Sequence, residues 1–344
     1  ISIGITISLI SNRLLLRFSQ SLGIRNKNDV TIRWSNQSKP SLGGIGLFLG
    51  FLSAMILYLI IEPDFNLFGN LEFLGLFFAS SLAFFMGLAD DAYDTKPLFK
   101  LFIQISCGLF LLFTGTDITL FHHEILDGII TVVWVIILMN SLNMLDNMDG
   151  ITTSVSIGVI STVLFALVIT EGTDNLYFWV LLGTLASLFG FLYYNWNPSR
   201  MYMGDTGSQF LGVLLAAVGI SFFWNGHEFK DTSIWAKIIT PILAFLPSII
   251  DTTTVTINRL LKGQSPFVGG RDHTTHHLSY LGLKDRHIAI FFLSFTFICG
   301  AIGLYVNYTL KTWSLTITFS LIGFMAVAFI FLFGITKRKP IDAK

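Results

Sequence analysis

Long apolar segments alternate with short polar ones along the whole chain. Most of the apolar segments are about 17–25 residues long, which is enough to cross a bilayer core of about 30 Å as an α-helix. The pattern therefore predicts an all-α fold, a polytopic integral membrane bundle of about 11 transmembrane helices. The predicted spans are residues 1–18, 41–61, 71–89, 98–115, 127–145, 151–170, 177–195, 208–224, 237–256, 287–306 and 313–335.

The composition excludes an ordinary soluble domain. Of the 344 residues, 53% are hydrophobic and only 12% are charged, whereas soluble domains carry about 25% charged residues. Cys107 and Cys299 both lie within apolar segments, where a cysteine is usually a small buried apolar residue. We therefore expect membrane lipid around the chain, no nucleic-acid partner and no redox chemistry of the two thiols.

The basic residues orient the predicted spans, because loops rich in Lys and Arg stay on the cytoplasmic side of a membrane. When the connections are assigned alternately to the two sides, one side receives all of the 21 basic residues except Lys230, Lys237 and Lys311. This side is predicted to be cytoplasmic. Every polar cluster with candidate chemistry emerges there, including the long connection 257–286.

The first cluster ends the third predicted span, where Asp90, Asp91 and Asp94 form a DDxxD pattern. Adjacent carboxylates repel unless a cation lies between them, so the pattern favours Mg²⁺ or Mn²⁺ with phosphate oxygens as further ligands. Lys96 and Lys100 follow and could contact phosphate. The alternative is a set of solvated charges where the chain leaves the membrane.

The second cluster, LMNSLNMLDNMDG, ends the fifth predicted span. Asn143 and Asp146 are three residues apart, as are Asp146 and Asp149, so one helical face presents an amide and carboxylates together. Asn140 lies one turn deeper, where a polar group is costly unless it faces a wet cavity or a partner. Hydrogen bonding between helices is an alternative for the Asn residues, but it leaves the Asp residues unexplained.

The third cluster, MGDTGS, lies between the seventh and eighth predicted spans. Gly204 and Gly207 flank Asp205, and Ser208 is predicted to open the next helix. Glycines let backbone N–H groups approach an anion, and a helix N-terminus favours phosphate. A simple turn capped by Ser208 is the alternative.

The fourth cluster, RDHTTHH, combines Arg271 with His273, His276 and His277. The guanidinium group is suited to phosphate, and the histidines could donate to phosphate or position a ligand. A zinc site is disfavoured, since neither HExxH nor a Cys/His zinc pattern is present. Asp251, near the inner end of the ninth predicted span, is a further candidate for a functional residue of the same site. An ion pair between Asp251 and Arg259 is the alternative.

Four such clusters on one face predict a Mg²⁺-dependent site for a polyphosphate substrate at the membrane surface. Chemistry of this kind proceeds by charge neutralisation and positioning, for which carboxylates, a metal ion, Lys, Arg and His are the expected parts. A secondary transporter is the alternative from another class. It would require charges near the middle of the membrane and inverted repeats, and neither is evident.

Five motifs, in a fixed order between the predicted spans, resemble those of the polyprenyl-phosphate N-acetylhexosamine-1-phosphate transferases. They are PSLGGIGLFLG, GLADDAYD, NSLNMLDNMDG, NPSRMYMGDTGSQFLG and GGRDHTTHHL. The resemblance implies one transmembrane transferase domain over residues 1–344 with a cytoplasmic active site, in the bacterial inner membrane. It also implies transfer of a sugar-1-phosphate from a UDP-N-acetylhexosamine to undecaprenyl phosphate with release of UMP, and it leaves a homodimer open.

The resemblance assigns the metal and the catalytic carboxylates. Asp205 matches the Mg²⁺ ligand of the family, with Asp146 as a second metal ligand and Mn²⁺ as an alternative ion. Asp90 and Asp91 match the aspartate pair near the metal and the lipid phosphate, so the catalytic residues are expected to be Asp90, Asp91 and Asp205.

The remaining matches are expected to bind the substrates. Residues of this chain match the family's nucleotide-sugar pocket and the segment that holds the diphosphate or the sugar. The expected substrate-binding residues are Asn143, Asp146, Asp94, Lys100, Arg271, His273, His276 and His277.

Three departures from the family pattern refine the expectation. Tyr202 replaces a Phe before Met203, and Asn147 stands where the family usually has Gly, which predicts a modest change in the local backbone. HTTHH interrupts the three consecutive histidines of the phospho-N-acetylmuramoyl-pentapeptide transferases. This departure favours the branch that transfers N-acetylglucosamine-1-phosphate, with the muramoyl-pentapeptide branch as the alternative.

Overall fold

The computed structural model describes residues 1–21, 39–170, 172–173, 175–226, 233–266, 269–310 and 312–338. Within these ranges the regular secondary structure is helical, as predicted, and the described residues contain one isolated bridge, between Ser41 and Tyr202. The helices are α1 (Ser2–Ser21), α2 (Gly43–Ile61), α3 (Leu71–Tyr93), α4 (Pro97–Phe113), α5 (Glu124–Leu145), α6 (Ile151–Thr170), α7 (Leu176–Asn195), α8 (Gly204–Gly219, continued by a π-helical turn over Ile220–Trp224), α9 (Ile234–Ala244), α10 (Leu246–Leu261), α11 (Thr274–Tyr280), α12 (Asp285–Tyr308) and α13 (Leu315–Ile335).

Among the described residues, eight helices are long and apolar enough to cross a membrane, or nine if α9 and α10 form one span. The predicted count of eleven is not confirmed. The two predicted spans that fall short are 1–18 and 98–115. The first lies in α1, which carries Arg13 and Arg17. The second lies in α4, which has only 17 residues.

The predicted span 237–256 is broken in the structure, because α9 and α10 meet at an angle of 81°. Pro241 lies inside α9, and Pro247 lies in the first turn of α10. A proline inside a helix removes one backbone hydrogen bond and clashes with the preceding turn, which bends or breaks the helix. Phe245 at the break is buried, and its ring packs edge-on against Trp134.

Helix α8 is the centre of the bundle. Its residues from Thr206 to Gly219 are all buried, and it packs against α3 and α5. The approach to α3 is very close at Gly87, where an added Cβ would lie 2.3 Å from the carbonyl oxygen of Asp205. Because only glycine permits this contact, the C-terminal turn of α3 lies directly beside the first turn of α8.

The two ends of the bundle hold different polar groups. At one end, Asn225 accepts hydrogen bonds from the amide and hydroxyl groups of Thr119, and Lys237 donates to the Thr119 carbonyl. The other end gathers the four predicted clusters and is called the site end below. The prediction that all four clusters emerge on the same face is therefore confirmed.

One predicted boundary near the site end is wrong. The eighth span was predicted to begin at Ser208, but α8 begins at Gly204, so Asp205 lies in its first turn. The connection 257–286 contains the last turn of α10 and the short helix α11. The histidines therefore lie at the start of a helix and within it.

Candidate active site

Asp91 caps the N-terminus of α8 from the end of α3. Its two carboxylate oxygens accept hydrogen bonds from the amides of Asp205 (3.1 Å) and Thr206 (2.9 Å), and from the Thr206 hydroxyl (2.6 Å). The first amides of a helix have no partner within the helix and carry partial positive charge. The sequence predicted that these amides would face a phosphate. In the structure they donate their hydrogen bonds to the carboxylate of Asp91 instead.

Gly204 makes this capping arrangement sterically feasible. Its φ is +74°, and an added Cβ would lie 2.5 Å from Oδ2 of Asp91. A larger residue would therefore be unfavourable for two reasons: its side chain disfavours this positive φ, and its Cβ would clash with the carboxylate of Asp91. The glycine predicted to bring backbone close to an anion does so for an anion of the chain itself.

Lys100 joins the other two predicted catalytic carboxylates. Its ammonium group forms an ion pair with Asp90 and a second with Asp205, where Nζ and Oδ2 are 3.1 Å apart. The connection from α3 to α4 is only three residues long, and Pro97 opens α4, so the first turn of α4 returns to the end of α3. Asp90 also accepts hydrogen bonds from the amide and hydroxyl groups of Thr95.

Asp146 completes the carboxylate cluster, a name used here for Asp90, Asp91, Asp146 and Asp205 together. It caps the C-terminus of α5 and faces α8. Burial, with repulsion from Asp205, Asp91 and Asp149, raises the pKa of Asp146 to about 8, although the Gly204 amide acts in the opposite direction. Among the described residues no lysine or arginine pairs with Asp146, so without a bound cation the surroundings favour the neutral, protonated form of its carboxyl group.

The cluster fits a divalent cation that takes only part of its ligands from the protein. In the described part of the chain, no group of three or more His, Cys, Asp or Glu side chains is arranged to enclose a metal ion. Mg²⁺, however, is usually held by one or two carboxylates together with water and substrate phosphates. Asp146 and Asp205 supply two carboxylates whose mutual repulsion such an ion would relieve.

The asparagines of α5 hydrogen-bond to neighbouring helices. Asn143 donates to the Ser208 hydroxyl of α8 at 3.0 Å, and Asn140 donates to Gln104 of α4 at 2.9 Å. Gln104 in turn donates to Gln209 of α8. The alternative of hydrogen bonding between helices therefore holds for both asparagines, and it places Asn143 beside the cluster. A role of Asn143 in substrate binding stays a prediction.

Asp149 has a structural role in the loop that precedes α8. It accepts hydrogen bonds from the amide (2.9 Å) and hydroxyl (2.7 Å) of Ser199, and Lys39 lies 3.7 Å away. Lys39 also donates to Ser199, and the amides of Gly43 and Gly44 donate to the carbonyls of Tyr202 and Met203. These contacts fix the N-terminus of α2 and the loop that holds Asp205.

The histidine segment, residues 271–277, is anchored to α10 through Asp251. The fully buried carboxylate of Asp251 lies 2.8 Å from Nδ1 of His273 and accepts hydrogen bonds from the amide and hydroxyl groups of Thr274. Arg259 does not pair with Asp251, so that alternative is wrong. Arg259 pairs instead with Asp272 through two parallel hydrogen bonds of 2.7 and 2.8 Å.

The histidine segment also contacts the carboxylate cluster through Asn147. The Thr275 hydroxyl donates to Oδ1 of Asn147 at 2.6 Å, and Nε2 of His276 lies 3.4 Å from the Asn147 carbonyl. Burial and repulsion from His273 lower the pKa of His276 to about 3. Burial and the charge of Lys262 lower the pKa of His277 as well. At neutral pH both rings are therefore neutral hydrogen-bonding groups.

The structure does not bring every predicted site residue to the cluster. Asp94 ends α3 in the left-handed conformation with φ of 55° and is exposed. Arg271 is exposed at the edge of the histidine segment. Reasoning from the sequence missed Thr95 and Thr206 as carboxylate partners and Thr275 as the partner of Asn147. The sequence does place a threonine directly after the DDxxD pattern and another directly after Asp205, and this pattern could have indicated hydroxyl partners for the carboxylates.

Comparison with known proteins shows which family the chain is similar to. Residues 73–223, which run from the first turn of α3 through α8, match the sequence model of glycosyl transferase family 4. The matched region contains Asp90, Asp91, Asp146 and Asp205. Together with the helical membrane fold, the match confirms the family resemblance of the sequence motifs.

The relatives carry more particular names. The chain is 27% identical over 300 residues to a probable undecaprenyl-phosphate N-acetylglucosaminyl 1-phosphate transferase of Bacillus subtilis, covering 84% of this chain and 79% of that protein. It is 24% identical to a decaprenyl-phosphate N-acetylglucosaminephosphotransferase of Mycolicibacterium smegmatis, covering 74% and 68%. It is 27% identical to a phospho-N-acetylmuramoyl-pentapeptide-transferase of Streptococcus sanguinis, covering 77% and 81%.

Proposed function

We propose that the chain transfers N-acetylhexosamine-1-phosphate from a UDP-sugar to undecaprenyl phosphate and releases UMP. The proposed sugar is N-acetylglucosamine, and the reaction would be the first membrane step in the synthesis of a cell-envelope polysaccharide. The observation that carries the proposal is the carboxylate cluster, in which four Asp residues from the ends of three helices lie together at one end of a membrane bundle and two of them pair with Lys100.

The named relatives support the choice of substrates. The Bacillus subtilis and Mycolicibacterium smegmatis proteins are named for a polyprenyl phosphate and for N-acetylglucosamine. The interrupted histidines of HTTHH favour the same branch. The second candidate donor is the UDP-linked muramoyl-pentapeptide, because the Streptococcus sanguinis relative is equally identical at 27%.

In the proposed reaction, an oxygen of the acceptor phosphate attacks the sugar-bearing phosphorus of the donor. A new P–O bond forms while the bond to the bridging oxygen breaks, and the electron pair leaves with UMP. Lys100 would offset negative charge on the reacting phosphates from its position between Asp90 and Asp205. A phosphomonoester has its second pKa at about 6, so the acceptor is already largely ionised and needs no dedicated base.

We propose Mg²⁺ as the cofactor, held by Asp205 and Asp146, with Mn²⁺ as an alternative. The ion would neutralise the donor diphosphate and the developing charge on UMP. Asp91 would act by fixing the first turn of α8, since its oxygens are taken up by the amides of that turn. The site end would face the cytoplasm of a bacterial inner membrane, as the distribution of basic residues predicts. The homodimer stays a prediction.

The test measures UMP release by detergent-solubilised protein from UDP-N-acetylglucosamine, UDP-N-acetylgalactosamine and the UDP-linked muramoyl-pentapeptide. Each donor is assayed with and without undecaprenyl phosphate, and with Mg²⁺ or excess EDTA. We expect UMP only when acceptor and metal are both present, with N-acetylglucosamine the preferred donor. Release without acceptor, or full activity in EDTA, would contradict the proposal, and preference for the pentapeptide would establish the second candidate.

A further inference from the structure

A groove of about 660 Å³ lies between α1 and α7, toward the site end of the bundle. It is separate from the carboxylate cluster, since none of its lining residues belongs to that cluster. The lining combines three arginines, two tyrosines and three aliphatic residues: Leu9, Ile10, Arg13, Leu16, Arg17, Tyr193, Tyr194 and Arg200.

The arginines line the groove from two sides. Arg13 and Arg17 are four residues apart on α1, so they lie on the same helical face. Arg200 lies just after α7, with its guanidinium carbon 4.9 Å from the centre of the Tyr193 ring and 5.6 Å from that of Tyr194. Among the described residues, no carboxylate forms an ion pair with any of the three, so the described lining carries excess positive charge.

The aliphatic lining continues along α1 beyond the arginines, and Leu16 lies between Arg13 and Arg17. Leu9 and Ile10 precede Arg13 by about one turn, which is about 5 Å toward the middle of the bundle. The Tyr194 hydroxyl donates to the Leu9 carbonyl at 3.1 Å and holds α1 against α7 along this stretch. The groove thus offers cations near the membrane surface and aliphatic side chains deeper in, in the order of the headgroup and acyl chains of a phospholipid.

We propose that this groove binds an anionic glycerophospholipid, with the headgroup phosphate on Arg13, Arg17 and Arg200 and an acyl chain along Leu9 and Ile10. Guanidinium groups match phosphate oxygens with two hydrogen bonds each. Basic pockets between transmembrane helices are sites where anionic headgroups bind. A soluble phosphate would leave the aliphatic part of the groove unused, and a zwitterionic lipid would leave positive charge unbalanced.

The test compares lipid binding by two variants that lose the same charge. The groove variant combines R13Q, R17Q and R200Q. The control combines K284Q, R286Q and R338Q, three exposed basic residues at the site end that lie outside the groove. Native mass spectrometry of detergent-solubilised protein, titrated with phosphatidylglycerol or phosphatidylcholine, gives the dissociation constant of each lipid.

We expect wild type and control to bind phosphatidylglycerol about tenfold more tightly than phosphatidylcholine, and the groove variant to lose that preference. Equal binding of the two lipids by wild type, or an unchanged preference in the groove variant, would overturn the proposal. So would displacement of phosphatidylglycerol by equimolar undecaprenyl phosphate, since the occupant would then be the polyprenyl lipid.

A measurement on the wild type keeps the proposal testable if the groove variant does not fold. Phosphatidylglycerol with a photoreactive acyl chain is incorporated into nanodiscs with the protein, and the cross-linked peptides are mapped. We expect cross-links concentrated on residues 9–17 and 193–200 and reduced by excess unlabelled phosphatidylglycerol. Cross-links spread evenly over the lipid-facing helices, unaffected by the competitor, would show that the groove holds no specific lipid.

Discussion

The carboxylate cluster and the histidine segment lie side by side at the site end, but their charges are balanced differently. At the histidine segment each acid has a matched partner: His273 pairs with the buried Asp251 of α10, and Arg259 of α10 pairs with the partly buried Asp272. In the cluster, Lys100 forms ion pairs with Asp90 and Asp205, and among the described residues no Lys or Arg forms one with Asp91 or Asp146. Burial and repulsion raise the pKa of Asp146 to about 8.

The difference indicates separate tasks for the two regions. A region with unbalanced negative charge gains most when a cation arrives, so the cluster is suited to bind a divalent ion and, through it, the anionic reacting groups. A region whose charges are already paired gains little from an added ion and holds its geometry instead. We therefore expect substitutions in the cluster to lower activity at nearly constant stability, and substitutions in the histidine segment to lower both.

The largest expected effect is on activity, from Asp205→Asn in the cluster. Removing this charge takes away one proposed metal ligand and one partner of Lys100. We expect kcat to fall about 10³-fold or more, as for loss of a principal electrostatic group. UMP release measures the effect, and the thermal unfolding midpoint should stay within a few degrees of wild type.

Asp94→Asn is the matched control for that variant. Asp94 belongs to the same DDxxD pattern but is exposed at the end of α3. We expect activity within about twofold of wild type, because surface substitutions away from charged partners have small effects. A loss in Asp94→Asn as large as that in Asp205→Asn would show that the cluster extends beyond the residues that the structure brings together.

The next effect tests the histidine segment through Asp251→Asn. The substitution leaves His273 and the Thr274 hydroxyl with a weaker, neutral partner in a fully buried position. We expect the free energy of unfolding to fall by about 3 kcal/mol, as when one partner of a buried pair is removed, with activity falling in parallel. Loss of activity at unchanged stability would give Asp251 a direct chemical role and remove the contrast between the regions.

The sequence predicted the class of the site better than its internal contacts. Apolar length and the alternation of sides suffice to bring residues 90, 146 and 205 to one face, because each lies at a helix end. The sequence could not show that Asp91 would cap α8, since this depends on the close approach of Gly87 to the backbone of Asp205. Such contacts arise from packing between helices distant in sequence.

The errors in the fold have a similar origin. Hydropathy marks the stretch 237–256 as a span, but the 81° bend results from Pro241 and Pro247 acting on opposite sides of Phe245. From the sequence, an ion pair between Asp251 and Arg259 was the alternative to a functional role of Asp251. In the structure Asp272 reaches Arg259 because the chain folds back after α10, which no local pattern predicts.

A smaller effect is expected for Arg259→Lys. Lysine keeps the charge but loses the two parallel hydrogen bonds to Asp272, so we expect a loss of about 1 kcal/mol in the free energy of unfolding. Burial alone would raise the pKa of Asp272, but the hydrogen bonds and charge of Arg259 outweigh it and lower the pKa.

The pH dependence of stability checks the same pair. A lowered folded-state pKa means that the stabilisation is present above the unfolded-state pKa of Asp272 and is lost as the pH falls through the folded-state value. The difference in unfolding midpoint between wild type and Arg259→Lys should therefore be constant near neutral pH and shrink in acid. A difference that grows in acid would contradict the assignment.

The smallest expected effect concerns Asn147 and Thr275, the hydrogen bond by which the two regions touch. Asn147→Ala and Thr275→Val should each lower the free energy of unfolding by about 1 kcal/mol, and the double variant by clearly less than the sum. Ser279→Ala is the control, because Ser279 lies on α11 with Thr275 but donates its hydrogen bond to Asp285. The loss of unfolding free energy in Ser279→Ala should therefore add to the loss in Asn147→Ala. If Asn147 and Thr275 also proved additive, the histidine segment would be held by Asp251 and Arg259 alone, and Asn147 would be a neutral replacement for the usual glycine.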